Sequence, residues 1–170
     1  NNEPVLAPSV SHHIFNTNKK HGYNYDIKLN AHSIYNDESY DIKRWSGFGN
    51  INKKLYFQNL LLDADANIGL DLYSIQGRPS TDTNNNRYID RISSGFSIAA
   101  SNQFDFIDET SSFIIEPKIQ LSSLLTTDRT DEVPNRDSSE FILDQANLFL
   151  NNQYQGRDNI QSSDRLNIGF

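Results

Sequence analysis

From Leu60 to Leu72 the even positions are Leu60, Leu62, Ala64, Ala66, Ile68, Leu70 and Leu72, and between them stand Leu61, Asp63, Asp65, Asn67, Gly69 and Asp71. Successive side chains of a strand point to opposite faces, so this segment predicts a strand with one apolar and one acidic face. Residues 23–35 repeat the pattern, with Tyr23, Tyr25, Ile27, Leu29, Ala31 and Tyr35 opposed to Asn24, Asp26, Lys28, Asn30 and His32. A third stretch sets Ile92, Phe96, Ile98, Ala100, Phe104 and Phe106 against Arg91, Ser93, Gly95, Ser97, Ser101, Gln103 and Asp105. A fourth sets Phe113, Ile115, Ile119, Leu121 and Leu125 against Glu116, Lys118, Gln120 and Ser122. Adding weaker alternation elsewhere, strands are expected at 5–14, 23–36, 40–50, 56–75, 88–106, 112–126 and 164–170. Pro8 and Pro117 lack the N–H that a ladder needs and mark edges or bulges.

Turn chemistry separates these stretches at Asn16–Gly22, Asn36–Glu38, Asn50–Lys54, Gly77–Arg87, Asp108–Thr110 and Thr126–Asp164. In an up-and-down sheet successive connections fall on alternate sides. Gly77–Arg87 and the long loop at 127–163 then share one side, and shorter turns take the other. Outer-membrane barrels show this asymmetry, with short periplasmic turns and longer extracellular loops, which assigns the two long loops to the cell exterior. Within the long loop, Ser138–Phe149 is compatible with a short helical turn.

Alternation alone leaves two architectures open, a soluble sandwich whose apolar faces meet in a core and a membrane barrel whose apolar face meets lipid. Strand length favours the barrel. Globular strands usually run about 5–6 residues, whereas these alternate for about 13–16, enough for the roughly 9–11 residues of a tilted membrane crossing. Tyr23, Tyr25, Tyr35, Tyr73, Phe104 and Phe106 stand toward strand ends, where an interfacial aromatic girdle is expected. In a barrel, Asp26, Lys28, Asp63, Asp65, Asp71, Arg91, Glu116 and Lys118 would face the lumen. Such mixed charge suits a wide, water-filled interior and not a dry core. Seven strands do not close so wide a barrel. The expected fold is therefore all-β, an antiparallel up-and-down meander of long amphipathic strands forming an incomplete piece of a large transmembrane outer-membrane β-barrel, with residues 1–170 one partial barrel domain.

Composition narrows the function further. The longest apolar runs, such as Leu60–Leu62, fall far short of the about 20 residues of a transmembrane helix. A formal net charge of −7 argues against a nucleic-acid partner, because neutralising phosphates needs a basic face. With no cysteine in the chain, disulfides, thiolate nucleophiles and cysteine zinc sites are excluded. His12 and His13 fall on opposite faces of a strand and do not form a simple metal pair. No Gly-x-Ser-x-Gly elbow occurs and no histidine follows His32, which argues against a serine hydrolase. Asp63 and Asp65 stand about 7 Å apart on one face, close to glycosidase spacing, yet a solvated acidic face accounts for them. Asp128, Asp131, Glu132 and Asp137 do not fit an EF-hand and read as a solvated acidic loop. No catalytic residue, cofactor or metal is expected, and the chain reads as non-enzymatic. It begins Asn-Asn-Glu, contains no Met, and reads as an internal segment of a longer protein.

A set of short motifs stands in order toward the end of the chain: Glu116-Pro117, then Val133-Pro134-Asn135-Arg136-Asp137-Ser138, Phe141, Asp144, Asn147-Leu148-Phe149, Gly156, Asp158, and Arg165-Leu166-Asn167-Ile168-Gly169-Phe170. In order and spacing it resembles the C-terminal β-barrel domain of the LptD (OstA/Imp) family of lipopolysaccharide-assembly outer-membrane proteins. Leu6–Val10 and Lys43-Arg44-Trp45 match less specific barrel segments. The resemblance implies transport of lipopolysaccharide to the outer leaflet of the bacterial outer membrane. It also implies an LptE-like lipoprotein plug, and periplasmic lipopolysaccharide-bridge proteins reached through an N-terminal domain that these residues do not include. It gives Pro134, Asn135, Asp137, Ser138, Asn147, Leu148, Phe149, Gly156 and Asp158 a structural or lumen role in the loop, pinned by capping and turn hydrogen bonds. Where the family has Asp-Arg after the glycine, this chain has Asp158-Asn159, which removes any salt bridge that arginine would make. A general porin-like channel and a soluble β-sandwich binding module are the alternatives.

Overall fold

The computed structural model describes residues 5–18, 20–35, 41–77, 86–108, 110–127, 129–135, 137–140, 142, 147–150 and 154–170. Eleven strands occur there: β1 Val5–Asn18, β2 Tyr23–Tyr35, β3 Asp41–Phe57, β4 Leu60–Gln76, β5 Asn86–Asn102, β6 Phe104–Ile107, β7 Ser112–Ile115, β8 Lys118–Thr126, β9 Ser139–Glu140, β10 Tyr154–Gln155 and β11 Ser163–Gly169. Seven of them form one antiparallel sheet in the order β1-β2-β3-β4-β5-β8-β11, an open meander. The fold is all-β, as the alternation requires. No helix among the described residues is long and apolar enough to cross a membrane.

Register aligns the alternation of all seven strands. Ala31 faces Trp45, Trp45 faces Leu72, Ile98 faces Leu121, and Leu121 faces Leu166, so the apolar positions merge into one continuous face. On the other face Ser46, Asp71 and Arg91 are aligned across β3, β4 and β5. The distribution of burial is the reverse of a sandwich. Val10, Leu29, Trp45, Ile68, Ile92, Phe96, Ile98, Leu121, Leu125, Leu166 and Ile168 are all exposed. Asp71, Arg91, Ser93, Ser97, Gln120 and Asn167 are buried. Over β3, β4, β5, β8 and β11 the polar face is covered by the segment between β8 and β11, whereas on β1 and β2 residues such as His13 and Lys28 stay exposed. A small apolar cluster of Ile42, Tyr73, Ile75, Ile89 and Val133 lies on that covered side; burying a residue such as Val133 contributes about 1.5–3 kcal/mol.

Three local expectations are corrected. Asn50–Lys54 is not a turn but strand, because β3 continues to Phe57 and the reversal is made by Gln58 and Asn59 with Gln58 at φ 54°. The asparagines have cross-strand partners, Asn50 donating to Asp65 at 2.6 Å and Asn52 to Asp63. Residues 88–106 and 112–126 do not make two unbroken strands. They break at Gln103 and at Glu116-Pro117, and β6 and β7 form a separate hairpin in which Phe106 stacks on Phe113 at 4.7 Å. Pro117 cannot donate to the ladder, and its carbonyl instead accepts from the Asn102 N–H at 3.2 Å. Tyr73 is not a girdle residue: its odd position on β4 turns it to the polar face, where it is buried.

The expected turn at Asn36–Glu38 lies outside the described residues, as do 78–85 of the expected loop at Gly77–Arg87. Within Ser138–Phe149 the described residues form β9 and a turn at Asn147–Phe149, while Phe141 and Asp144 lie outside them.

Candidate functional site

The long loop is held to the polar face at two places. The first is a clasp at the loop end of β3, β4 and β5. Arg44 of β3 sends Nη1 to the carboxylates of both Asp158 and Asp137, at 2.6 and 2.7 Å. On β4 the Tyr73 hydroxyl donates to the Asp158 carboxylate at 3.2 Å. Arg91 of β5 donates to the Asp158 carbonyl at 2.7 Å and to the Arg157 carbonyl. It also pairs with Asp71 at 2.9 Å and donates to the Tyr73 hydroxyl at 3.1 Å. Arg91 is 0% exposed and Arg44 6%, so these charges are compensated within the clasp. A guanidinium's planar fork of donors suits this sharing among several oxygens.

Within the loop the two aspartates cap each other. The Asp137 N–H donates to the Asp158 carboxylate at 3.1 Å, and the Arg157 and Asp158 N–H groups donate to the Asp137 carboxylate at 3.0 and 2.9 Å. Ser138 accepts from the Asn159 N–H at 2.9 Å, and Asn135 exchanges hydrogen bonds with the Ser138 backbone at 2.8 and 2.9 Å. These are the local side-chain to backbone bonds that Asn, Asp and Ser favour in turns. Gly156 sits at φ 90°, and a Cβ there would run into the Asp137 carbonyl, so the close approach of the two loop arms needs glycine. Burial alone would raise the Asp137 carboxyl. The N–H groups of Arg157 and Asp158, with the Arg44 guanidinium, overcome this and hold it down at about 2.

The second anchor lies near the opposite end of the sheet. Gln120 donates to the Phe149 carbonyl at 3.1 Å and Arg165 to the Leu150 carbonyl at 2.8 Å. The Lys118 ammonium stands 4.6 Å from the Phe149 ring centroid, and Gly169 leaves room for Phe149 and Leu148 against β11. Lys118 and Thr126 bound β8, so between the loop's departure and its tip contact the chain descends about 20–26 Å along the sheet. Asn147 closes the tip turn by donating to the Ile142 carbonyl at 2.8 Å.

A model of the LptD family, described as LPS transport system D, matches residues 1–170, the full length of the chain. The chain belongs to the LptD family. Its role lies in the transport of lipopolysaccharide, the task that describes that family. No curated protein matches it.

The residues expected from this LptD-family sequence fall as follows. Asn135, Asp137, Ser138, Gly156 and Asp158 build the clasp, with Pro134 half-buried beside it, and Asn147, Leu148 and Phe149 build the tip. Asp71 and Arg91 lie beneath the clasp, Lys118 beneath the tip. Asp26, Lys28, Asp63 and Asp65 share the polar face: Asp26 is paired with Lys28 at 3.0 Å and with His13, Asp63 with Lys54 at 3.8 Å, and Asp63 and Asp65 border a hollow with Lys118, Gln120, Phe149 and Leu150 of the tip anchor. Glu116 lies in the break before β8 and borders a hollow with Lys118, Phe149 and Gly169. Glu132 and Asp137 are committed to Arg87 and Arg44. Among the described residues no group of three or more His, Asp or Glu could hold a metal ion. Sequence reasoning missed Arg44, Tyr73 and Arg157 as site residues. Arg157 reaches Asp71 at 3.6 Å and lies over Phe48 at 5.4 Å, two positions before the residue where the family's arginine stands. Parity was the available signal for the first two, since even positions of β3 and odd positions of β4 face the same way as Asp71.

Proposed function

We propose that this chain is part of the wall of an outer-membrane β-barrel that delivers lipopolysaccharide to the outer leaflet, and that it acts by transport without catalysis. The observation that carries the reading is the inverted sheet. A continuous exposed apolar face backs a polar face that the chain's own loop covers over β3, β4, β5, β8 and β11, as expected where lipid lies on one side and a lumen on the other. The polar residues Asp26, Lys28, Asp63, Asp65, Asp71, Arg91 and Lys118 then line the lumen. The loop between β8 and β11 enters it from the exterior side and runs along its wall toward the periplasmic turns. Further strands complete the barrel, because unpaired sheet edges do not occur in the hydrocarbon region. An LptE-like lipoprotein inside the barrel, and periplasmic bridge proteins reached through a domain outside these residues, are the partners this role requires.

The test is genetic and direct. The full-length protein should restore lipopolysaccharide to the surface of Gram-negative cells depleted of their own LptD, and should fractionate with the outer membrane. Ion conductance without restored lipopolysaccharide would leave a general channel in its place, and recovery from the soluble fraction would leave a sandwich.

A further inference from the structure

Most of the donors that hold the loop clasp belong to the sheet and their acceptors to the loop; the reverse contact is made by Arg157 of the loop, which reaches Asp71 at 3.6 Å. Arg44, Tyr73 and Arg91 come from adjacent strands, with Arg44 facing Tyr73 and Asp71 facing Arg91 in the register. Into the space they surround, the loop inserts the carboxylates of Asp137 and Asp158 and the carbonyls of Arg157 and Asp158. The Nε groups of Arg44 and Arg91 are buried there with no hydrogen-bond partner among the described residues, so the wall holds more donors than the loop uses. Lifting the loop would leave two guanidiniums and a hydroxyl against the single carboxylate of Asp71, facing the interior. That set is suited to an oxyanion.

We propose that this is a binding site for a phosphate monoester, and that the loop carboxylates occupy it in place of the cargo. The inference rests on the transport reading, in which the passing molecule carries phosphorylated sugars. A phosphate monoester bears about −1.5 to −2 charge and three acceptor oxygens, more than either carboxylate offers, and arginine binds it through two parallel N–H donors. The cargo's phosphate therefore displaces Asp137 and Asp158, and the loop end leaves the wall as the phosphate enters. When the cargo leaves, the carboxylates return and close the site. The opening is local, because among the loop's described residues only Val133 joins the buried apolar cluster and segments held chiefly by polar contacts are among the first to open. A ligand shifts such an equilibrium only by binding one state better, and the oxyanion site exists only in the open state.

The experiment is hydrogen exchange on the full-length protein in detergent micelles, with lipopolysaccharide, with dephosphorylated lipopolysaccharide or with inorganic phosphate. Binding of both lipid forms is measured in the same samples. Phosphorylated lipopolysaccharide should speed exchange at the Asp137, Asp158 and Asn159 amides by about tenfold or more, and the dephosphorylated form should not. Opening by inorganic phosphate alone would show that the phosphate group itself is read; opening by the lipid alone would assign the site to its phosphorylated headgroup. Asp137→Asn weakens the loop's hold without altering the wall, so it should lower the lipopolysaccharide concentration for half-opening several-fold. Equal opening by both lipid forms, or none with lipid demonstrably bound, would overturn the anion site and leave transport standing. Failure of both lipid forms to bind would overturn the transport reading and this inference with it.

Discussion

Arg44 and Asp158 stand 114 residues apart in the chain and meet at 2.6 Å, both buried. The pair joins the third strand of the sheet to the loop before its last strand. Removing one partner of a buried, hydrogen-bonded ion pair costs about 3–5 kcal/mol, because the other charge is left uncompensated. Arg44→Gln and Asp158→Asn in the full-length protein should therefore each free the loop end. The check is limited proteolysis: cleavage within residues 133–160 should accelerate by more than about tenfold, while the sheet's own unfolding transition moves little. In a double-mutant cycle the second substitution should add far less than the first. Additive effects would mean that the two side chains hold the loop independently.

Gly156→Ala tests the same clasp through the backbone. The residue sits at φ 90°, where a side chain is strained, and the added methyl would meet the Asp137 carbonyl, a backbone atom that cannot rotate away. A cost of about 1–3 kcal/mol is expected, read as faster cleavage of the loop with unchanged contacts at Phe149. Protection equal to the parent protein would show that the two loop arms have room to separate.

The clasp is also acid-sensitive. The Asp137 carboxyl is held at about 2, below its ordinary 3.8, so the interactions of its charged form stabilise the closed loop at every pH above about 4 and are lost as pH falls from there toward 2. Pepsin, active across that window, should cut the loop with a steep rise between pH 4 and 2. Asp137→Asn should remove the step and leave only the protease's own pH dependence. A step of the same size in the variant would assign the transition to another group.

Much of this arrangement was legible in the alternation. The two faces of β4 follow from Leu60–Leu72 read in steps of two, and the same parity places Asp71 and Arg91 together. Where the reading failed, a contact between distant segments decided against a local signal. Asn50–Lys54 carries turn composition, but Asp63 and Asp65 across the ladder satisfy Asn52 and Asn50 and keep the chain extended. Tyr73 near a strand end suits a girdle by composition, yet its hydroxyl meets Asp158. Loop residues such as Asn135 and Ser138 were recognisable by their turn chemistry and by family resemblance. Their partners on the sheet were not, because no periodicity links residue 44 to residue 158.

The loop tip offers a separable anchor. Phe149 lies against Lys118 and Gly169, and Gln120 and Arg165 bond the carbonyls of Phe149 and Leu150. Phe149→Ala removes the ring but keeps both carbonyls, so exchange at the tip should rise modestly while the Asp158 amide stays protected. Loss of protection at both ends together would show that the loop opens as one unit.

The apolar face gives the sharpest test of what surrounds the sheet. Leu121 lies midway along β8 between Ile98 and Leu166, is 62% exposed, and faces the same way as Leu125 nearer the loop end. If water covered this face, Leu121→Arg and Leu125→Arg would each change stability by no more than about 0.5 kcal/mol. If lipid covers it, a charge at a position near the bilayer midplane costs about 2–4 kcal/mol. Denaturant titration of the full-length protein folded in lipid vesicles should therefore show a penalty of that size at one or both of residues 121 and 125. Two small and equal effects would remove the apolar face from the membrane.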